Sequence, residues 1–260
     1  LTSHRLLIKS KMISSKITGT GTFIPSLKKE NTDFLNEKFL DSDGAALTSE
    51  NDVIIEKFKA ITGIQERRYA RAEYTSSDLA FFAAQKAIED AQINKEEIDY
   101  IIFAHNFGDV KRGTIQGDML PSLATRVKYK LKIENPNCVA YDILFGCPGW
   151  IEGVIHAQAF IKAGIAKKCL VIGAETLSRV IDKYDRDSMI YSDGAGACIV
   201  EETTETDSGI LSHATQTFAK EEAYYLHYGS SFNKNEDKNV RYIKMFGRKI
   251  YEFAITNVPA

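Results

Sequence analysis

Short runs of apolar, β-branched residues alternate along the chain with longer segments in which apolar residues recur every three or four positions. The short runs are typical of buried parallel strands, and the longer segments are typical of helices packed on a sheet. The predicted strands are 17–22, 100–104, 138–142, 168–173 and 197–200, and the predicted helices are 49–61, 76–91, 121–131, 148–163 and 242–258. This alternation predicts an α/β fold.

Local signals support several of the predicted helix starts. Thr75 and Asp78 supply capping oxygens just before the apolar face of the helix at 76–91. Pro121 and Pro148 suit the first turn of a helix. A backbone N–H in that turn has no partner within the helix, so proline loses nothing there, and the fixed φ of proline is close to the helical value. We therefore expect helices to begin close to all three places.

The chain has one candidate extension and one candidate boundary. Residues 1–11 place basic side chains around a short apolar run that is too brief for a signal peptide or a membrane span, so we interpret them as a leader or an added extension. The acidic segment 201–207 is interpreted as a solvated turn, and it is also the candidate boundary between two halves of the protein.

Composition and charge exclude several classes of protein. Hydrophobic residues make up 44% and charged residues 26%, as in ordinary folded proteins rather than disordered or collagen-like chains. The 33 Lys and Arg against 35 Asp and Glu give a net charge of −2, which argues against nucleic acid as a partner. The four cysteines form no CxxC pair, so they predict neither a zinc site nor a disulfide framework, and a reducing cytoplasm fits them best.

A glycine pair near the start invites a dinucleotide-binding interpretation, which we reject. Gly19 and Gly21 follow a predicted strand, but a third glycine is missing at the required offset. Pro25 also stands where the helix that receives the pyrophosphate would have to form. A nucleotide cofactor is therefore not expected.

Cys147 is the residue with the strongest chemical signal. It lies between a predicted buried strand and a predicted apolar helix that begins at Pro148. Free N–H groups and the positive end of the helix dipole favour a thiolate at such a position, and Gly146 and Gly149 allow a sharp turn and a close approach of substrate. The other cysteines lie in apolar strands and are interpreted as core residues; they are Cys138, Cys169 and Cys198.

No histidine is an obvious base for this cysteine. His156 lies nine residues further along the same helix, about 13 Å away along the axis at about 1.5 Å per residue. The others are interpreted as satisfied polar residues or lie in the extension, and no pair has a metal-ligand spacing; they are His4, His105, His213 and His227. We therefore predict no metal site.

A series of motifs in a fixed order makes the chain resemble a known family. The motifs are Gly19-Thr-Gly21-Thr-Phe-Ile-Pro25, Thr62-Gly-Ile-Gln-Glu-Arg-Arg68, Thr75-Ser-Ser-Asp-Leu-Ala80, Pro121-Ser122, Gly146-Cys147, Gly173-Ala-Glu-Thr-Leu-Ser-Arg179 and Asp193-Gly-Ala-Gly196. From Ile17 to its end the chain resembles the β-ketoacyl-acyl carrier protein synthase III family of condensing enzymes. The resemblance implies a thiolase-like layered α/β fold with mixed sheets between helices. In it, residues 12–205 would be a complete N-terminal half carrying the nucleophile, and residues 206–260 an incomplete start of the C-terminal half.

The resemblance also implies a reaction. The Cys147 thiolate would take an acyl group from an acyl thioester, and malonyl-acyl carrier protein would then lose carbon dioxide and attack that acyl group to start fatty acid synthesis. No cofactor is implied beyond thioesters of coenzyme A or acyl carrier protein, and the implied partners are acyl carrier protein and a second copy of the chain. The family's enolate-stabilising His and Asn have their motif beyond residue 260.

Three further positions are candidate substrate-binding residues, two of them through the resemblance and one through its glycine-rich segment. Leu120 matches a residue that reaches into the acyl pocket of the partner subunit in the dimer. Arg179 matches a basic residue near the pantetheine entrance, and Gly194 belongs to a glycine-rich segment whose backbone can approach a ligand.

Two departures from the family pattern leave alternatives open. Lys57 and Ile61 replace a Trp and an Arg that clamp the adenine of coenzyme A in well-known bacterial members. The segment 106–119 is also longer than usual and carries additional charges. The alternatives are a related polyketide or alkylresorcinol ketosynthase and a non-catalytic acyl-binding remnant.

Overall fold

A computed structural model describes residues 13–205 and 209–259. Its helices are α1 (Asn51–Thr62), α2 (Ser76–Ala91), α3 (Leu123–Leu131), α4 (Gly149–Lys162) and α5 (Gly247–Asn257). Its strands are β1 (Ser14–Phe23), β2 (Leu27–Glu30), β3 (Glu66–Tyr69), β4 (Tyr100–His105), β5 (Asp109–Val110), β6 (Gly117–Asp118), β7 (Val139–Leu144), β8 (Lys168–Thr176), β9 (Asp193–Thr203), β10 (Leu226–Gly229) and β11 (Tyr242–Met245). The predicted extension, residues 1–11, lies outside the described residues.

A five-stranded mixed sheet organises the N-terminal part of the chain. Its strand order is β1-β9-β8-β4-β7. β4 runs parallel to both β7 and β8, whereas β9 is antiparallel to β1 and β8. Because β4, β7 and β8 are parallel, their carboxyl ends meet at one edge of the sheet, where ligand sites of open α/β sheets commonly form.

Alternating residues of the strands bury opposite faces of this sheet. Ile101 and Phe103 pack with α2 and α3 on one face, whereas Ile102 packs with α4 on the other. This alternation follows from the period of two along a strand, and it makes a sandwich of helices, sheet and helix. The buried cores on both faces confirm the predicted α/β class, with a mixed sheet between helices.

Packing explains the glycine pair that resembles part of a nucleotide motif. A Cβ at Gly19 would lie 2.4 Å from the backbone nitrogen of Ala91, and one at Gly21 would lie 2.1 Å from the carbonyl oxygen of Ala83. Real Cβ contacts are much longer than this, so β1 can approach α2 only because these positions lack side chains. The glycines serve helix–strand contact here.

Two predicted elements differ from the structure. The predicted helix at 242–258 is a strand, β11, followed by a helix that begins only at Gly247. Hydrogen bonds with β10 hold residues 242–245 extended, and Ile243 buries its side chain against Val110 and Val180. The predicted acidic turn at 201–207 was also wrong at its start, because Glu201 lies in β9 and pairs with Lys168 of β8 at 3.2 Å.

Residues 209–259 contribute a small hairpin and one helix. β10 and β11 pair as an antiparallel hairpin, and Lys244 of β11 is buried with its Nζ 2.6 Å from Asp182 and 3.0 Å from Asp185. The aromatic ring of Phe232 lies 3.3 Å from the same Nζ. The described side chains of α5 include no buried residue. The hairpin is therefore attached to the segment between β8 and β9 through a buried ion-pair cluster and through the apolar contact of Ile243 with Val180.

Candidate active site

Three chemically important residues follow from three neighbouring parallel strands. Cys147 comes after β7, Asn106 comes directly after β4, and Glu175 is the penultimate residue of β8. Because these strands are parallel neighbours in the order β8-β4-β7, their carboxyl ends place all three residues at one edge of the sheet. The candidate active site lies at this edge.

The loop that carries Cys147 makes the sharp turn expected from its glycines. Gly146 has a φ of +69°, a left-handed conformation that glycine adopts without steric cost. Its carbonyl oxygen accepts the N–H of Gly149 at 3.1 Å, and α4 begins there with Pro148 as its N-cap. Cys147 therefore stands exposed immediately before the positive end of a helix dipole.

The other three cysteines are core residues, as the sequence predicts. Cys138, Cys169 and Cys198 are all buried. Burial raises the pKa of the Cys138 thiol to about 11 and the pKa values of the other two to about 12. These thiols stay protonated at neutral pH, so Cys147 is the exposed thiol among the described residues.

The histidines near this edge are engaged in structural hydrogen bonds. His105 is buried, with Nε2 2.9 Å from Asp142 and Nδ1 accepting the N–H of Gly108 at 3.1 Å. His156 lies within α4, 3.3 Å from the hydroxyl of Tyr141. The interpretation of His105 as a satisfied polar residue is confirmed, and among the described hydrogen bonds neither His105 nor His156 contacts Cys147.

Glu175 is a functional candidate that sequence reasoning missed. Its Oε2 accepts the backbone N–H of Asn106 at 2.7 Å and the side-chain amide of Asn106 at 3.1 Å. Burial raises the pKa of Glu175 to about 6, while the hydrogen bonds from Asn106 and the nearby His105 act in the opposite direction. The residue stands inside one of the motifs that carry the family resemblance, but nothing in its local spacing marks it out.

Tyr191 is a second polar group near the site. Its hydroxyl is buried and has no hydrogen-bond partner among the described residues. Burial raises the pKa of Tyr191 far above its ordinary value, and the nearby carboxylates of Asp187 and Asp185 raise it further. Tyr191 therefore remains a protonated hydrogen-bond donor at neutral pH, within electrostatic reach of Cys147.

Arg179, a predicted substrate contact, has a structural role. Its Nη2 donates to the carbonyl oxygens of Arg71 at 2.8 Å and Tyr74 at 3.2 Å, and the side chain is buried. Its Nη1 is buried without a partner among the described residues. Arg179 and Arg112 are among the residues that line a cavity of about 350 Å³. The guanidinium thus fixes the loop after β3, and a contact with pantetheine stays a prediction.

The other two predicted substrate positions lie apart in the fold. Leu120 is 89% exposed and precedes Pro121 through a cis peptide bond. Gly194 lies in β9 directly opposite Glu175 of β8, and a Cβ at Gly194 would meet the carbonyl oxygen of Phe23 at 3.7 Å. The exposure of Leu120 is compatible with a contact to another chain, whereas Gly194 lies beside the edge that carries Asn106 and Cys147.

The two departures from the family pattern are visible on the surface. Lys57 and Ile61 lie on α1, and Ile61 is 79% exposed. The long segment after β4 contains the small hairpin of β5 and β6, where Asp109 is fixed by the N–H and hydroxyl of Ser77 at 2.7 Å. Asp109, one of the additional charges of this segment, therefore holds it against the start of α2.

Neither a metal cluster nor a membrane helix occurs in the described part of the chain. Within residues 13–205 and 209–259, no three His, Cys, Asp or Glu side chains come together in a way that could hold a metal ion. No helix among the same residues is long and apolar enough to cross a membrane.

Comparison with known proteins gives the class and then the family. A family model described as 3-oxoacyl-[acyl-carrier-protein (ACP)] synthase III matches residues 141–218, which include Cys147. The solved 3-oxoacyl-[acyl-carrier-protein] synthase III of Aquifex aeolicus superposes with a TM-score of 0.68 and 32% identity over 92% of this chain and 66% of that one. The enzyme from Thermus thermophilus gives 0.71 and 30% over 92% and 68%. These similarities define a thiolase-fold condensing enzyme, which is an acyltransferase.

Curated relatives of the same name make the assignment specific. The β-ketoacyl-[acyl-carrier-protein] synthase III of Xanthomonas campestris pv. campestris is 34% identical over 250 residues, which are 95% of this chain and 69% of that protein. A Vibrio vulnificus protein is 36% identical over 245 residues, 94% of this chain and 69% of that protein. The chain belongs to the β-ketoacyl-acyl carrier protein synthase III family, whose members act in fatty acid synthesis.

The polyketide alternative is not favoured by these comparisons. The priming β-ketosynthase of the R1128 polyketide pathway superposes with a TM-score of 0.75, but its sequence identity is 24%, so this similarity concerns the fold alone. The relatives with higher identity are synthases named for acyl carrier protein.

Proposed function

We propose that Cys147 is the nucleophile of this condensing enzyme. The observation that carries the proposal is the placement of an exposed thiol between the end of β7 and the start of α4, while the other three thiols are buried. The positive end of the helix dipole and the free N–H groups of its first turn favour a thiolate there. The thiolate sulfur attacks the carbonyl carbon of an acyl thioester, the bond to the donor sulfur breaks, and the donor leaves as a thiolate.

The backbone at Cys147 supplies part of the oxyanion stabilisation in this proposal. Among the hydrogen bonds of the described residues, none uses the N–H of Cys147, although the neighbouring Gly146 and Gly149 N–H groups are both engaged. A free N–H at the attacking residue is positioned to donate to the oxygen that becomes negative during acyl transfer. This donor requires only the backbone geometry of the loop.

The second half of the reaction is proposed from family membership. Malonyl-acyl carrier protein loses carbon dioxide, its carbanion attacks the acyl carbonyl, and the Cys147 thiolate leaves. Acyl carrier protein is then the partner protein, and thioesters of coenzyme A or of acyl carrier protein are the acyl donors. No cofactor beyond these thioesters takes part in the family's reaction.

We also propose a homodimer in the cytoplasm, built on the edge strand β7. β7 is at one end of the sheet, and its apolar residues Val139 and Leu144 are 45% and 64% exposed. An edge strand with apolar side chains is a ready template for pairing with a second chain. Leu120, at 89% exposure, would then contribute to the acyl pocket of the partner. Sedimentation velocity tests this: a monomer at micromolar concentration contradicts the dimer.

We also propose that the chain belongs to two successive thiolase-like halves. All strands of the five-stranded sheet come from residues 14–203, and residues 209–259 supply β10, β11 and α5. This division supports the proposal that residues 12–205 form one thiolase-like half and residues 206–260 belong to the next.

Acylation of Cys147 is the direct test of the proposed function. The protein is incubated with a short-chain acyl thioester, and the added mass is mapped by digestion and mass spectrometry. One acyl group per chain is expected at Cys147, and none after Cys147→Ala. Cys198→Ala is the matched control, because it removes a buried thiol of the same protein and should leave the acylation unchanged. Undiminished acylation of Cys147→Ala, or an unmodified wild-type protein, contradicts the proposal.

A further inference from the structure

The loop that carries Cys147 is tied to the rest of the protein by one side chain. The backbone N–H of Gly146 donates to Oδ1 of Asn106 at 3.1 Å. Within the described residues, this is the one hydrogen bond between segment 145–148 and a side chain, the others being local backbone contacts that begin α4. The position of Gly146, and with it that of the next residue, therefore depends on Asn106.

Glu175 determines which way the Asn106 amide faces. An asparagine side chain can place either its oxygen or its nitrogen towards a neighbour, and only the oxygen can accept the N–H of Gly146. Oε2 of Glu175 accepts the Asn106 Nδ2 at 3.1 Å, which requires the amide nitrogen to face Glu175. The same oxygen accepts the backbone N–H of Asn106 at 2.7 Å, so the carboxylate fixes both the backbone and the side chain of this residue.

These hydrogen bonds form one continuous path across the ends of three neighbouring strands. Glu175 lies near the end of β8, Asn106 follows β4, and Gly146 follows β7. The donors and acceptors alternate correctly along the whole path, from the Gly146 N–H to the Asn106 oxygen and from the Asn106 nitrogen to the Glu175 carboxylate. The partly buried setting of Glu175 strengthens this network, because hydrogen bonds to a carboxylate gain strength away from water.

We propose that Asn106 and Glu175 are positioning residues for the Cys147 nucleophile, holding its loop in the geometry from which the thiolate attacks an acyl thioester. This inference rests on the proposed role of Cys147. Neither residue exchanges a proton or a bond with the substrate. Their effect is on the fraction of time in which sulfur and backbone N–H are both correctly placed for attack, a fraction to which reaction rates are highly sensitive.

The test measures two quantities for each variant: the maximal rate of Cys147 acylation and the acyl donor concentration that gives half of that rate. In Asn106→Asp, two carboxylates face each other and the side-chain donor to Glu175 is lost, while the backbone N–H of residue 106 remains. We expect the maximal single-turnover rate to fall by about tenfold or more, since a misplacement of about 1 Å can cost up to about 100-fold. The donor concentration that gives half the maximal rate should stay within about twofold, because the proposal assigns both residues to the Cys147 loop and neither to donor binding.

A second variant removes the repulsion between the two carboxylates. In the double variant Asn106→Asp with Glu175→Gln, the side chain of residue 175 is neutral, so its oxygen can still accept the backbone N–H of residue 106 while the introduced carboxylate accepts the N–H of Gly146. This double variant should acylate faster than Asn106→Asp alone. If Asn106→Asp does not fold, Asn106→Ser, which adds no charge but is too short to span Gly146 and Glu175, should show the same loss.

The chain offers a close matched control. Asn135 also donates its N–H to a glutamate, Glu96 Oε2 at 2.8 Å, donates its amide to the Glu96 carbonyl oxygen at 3.0 Å, and accepts the N–H of Asn137 at 2.9 Å. Asn135→Asp should leave the acylation rate unchanged. A wild-type maximal rate in folded Asn106→Asp, a double variant no faster than the single one, or an equal loss in Asn135→Asp overturns the inference. Acylation that survives Cys147→Ala would instead overturn the proposed function.

Discussion

His105 Nε2 and Asp142 Oδ2 lie 2.9 Å apart, and the same carboxylate accepts the N–H groups of Leu123 and Ala124 at 2.7 Å each. Asp142 therefore joins β4 and β7 to the start of α3, where helix N–H groups have no partner within the helix. Both ring nitrogens of His105 are occupied, since Nδ1 accepts the N–H of Gly108. The histidine that ends the central parallel strand β4 is thus a structural residue.

Removal of this carboxylate should destabilise the protein. Asp142→Ala removes three hydrogen-bond acceptor contacts and leaves His105 buried without one partner, so we expect the free energy of unfolding to fall by about 2–3 kcal/mol. Urea unfolding measures the change. Asp43→Ala, at an exposed position of the segment before α1, should change it by less than about 0.5 kcal/mol. Equal effects of the two substitutions would contradict this role for Asp142.

Alkylation should distinguish Cys147 from the other thiols. In the native protein at pH 7.5, iodoacetamide should modify Cys147 and spare Cys138, Cys169 and Cys198, since burial raises the pKa values of those three thiols to about 11 or 12. Peptide mass spectrometry identifies the modified residue. All four should react after denaturation in urea. Modification of any buried cysteine at a rate comparable to Cys147 would show that the core opens more readily than its packing indicates.

The close contact of β1 with α2 makes a sharp prediction for two glycines of one sheet. A Cβ at Gly21 would lie 2.1 Å from the carbonyl oxygen of Ala83 and 2.5 Å from the nitrogen of Ala87, and neither backbone atom can move alone. Gly21→Ala should therefore lower the free energy of unfolding by about 3 kcal/mol. Gly196 lies on the neighbouring strand β9, and a Cβ added there would have no atom within 4 Å, so Gly196→Ala should be tolerated. Comparable melting temperatures for the two variants would contradict the packing argument.

The carboxyl group of Glu175 should make stability depend on pH in a defined window. Its pKa is raised, chiefly by burial, from the ordinary value of 4.5 to about 6, so the folded state binds the proton more tightly than the unfolded state. The resulting stabilisation is present below pH 4.5 and is lost as pH rises through 6. At about 1.4 kcal/mol per pKa unit, the loss is about 2 kcal/mol.

Glu175→Gln removes this titration and provides the measurement. The difference in unfolding free energy between Glu175→Gln and wild type should shift by about 2 kcal/mol in favour of the variant between pH 4.5 and pH 7. Urea titrations at several pH values give this difference, and only its change with pH is interpreted, because the substitution also alters the contact with Asn106. A difference that is constant across this window would contradict the raised pKa.

Local signals in the sequence predicted most of the fold. The helix predicted at 76–91 matches α2 at both ends, because Thr75 and Asp78 form a capping box at its start and Gln92 adopts a left-handed conformation at its end. The errors occurred where distant contacts decide. Glu201 is extended because it pairs with β8, and residues 242–245 are extended because they pair with β10. The spacing of apolar residues alone does not indicate that these segments pair with β8 and β10.

The candidate site, too, could be predicted only where a local sequence pattern marks its residues. Cys147 could be found from the sequence because a cysteine next to glycines at a predicted helix start is a local pattern. Asn106 and Glu175 could not, because their contacts join residues that are 40 and 69 positions apart. Arg179 could be placed in the family pattern, but its burial against the loop after β3 depends on the positions of backbone carbonyl groups that only the folded chain brings together.

The parallel register of β4, β7 and β8 limits how this protein can change length during evolution. His105 lies opposite Leu144, and Ala104 lies opposite Gly173. Each functional residue therefore lies a fixed number of residues from these paired positions. Insertion or deletion of one residue inside any of these strands would move its end by about 3.3 Å and turn its side chains to the other face. Changes in length should therefore accumulate in the loops at the opposite edge of the sheet, where the helices lead back into these strands.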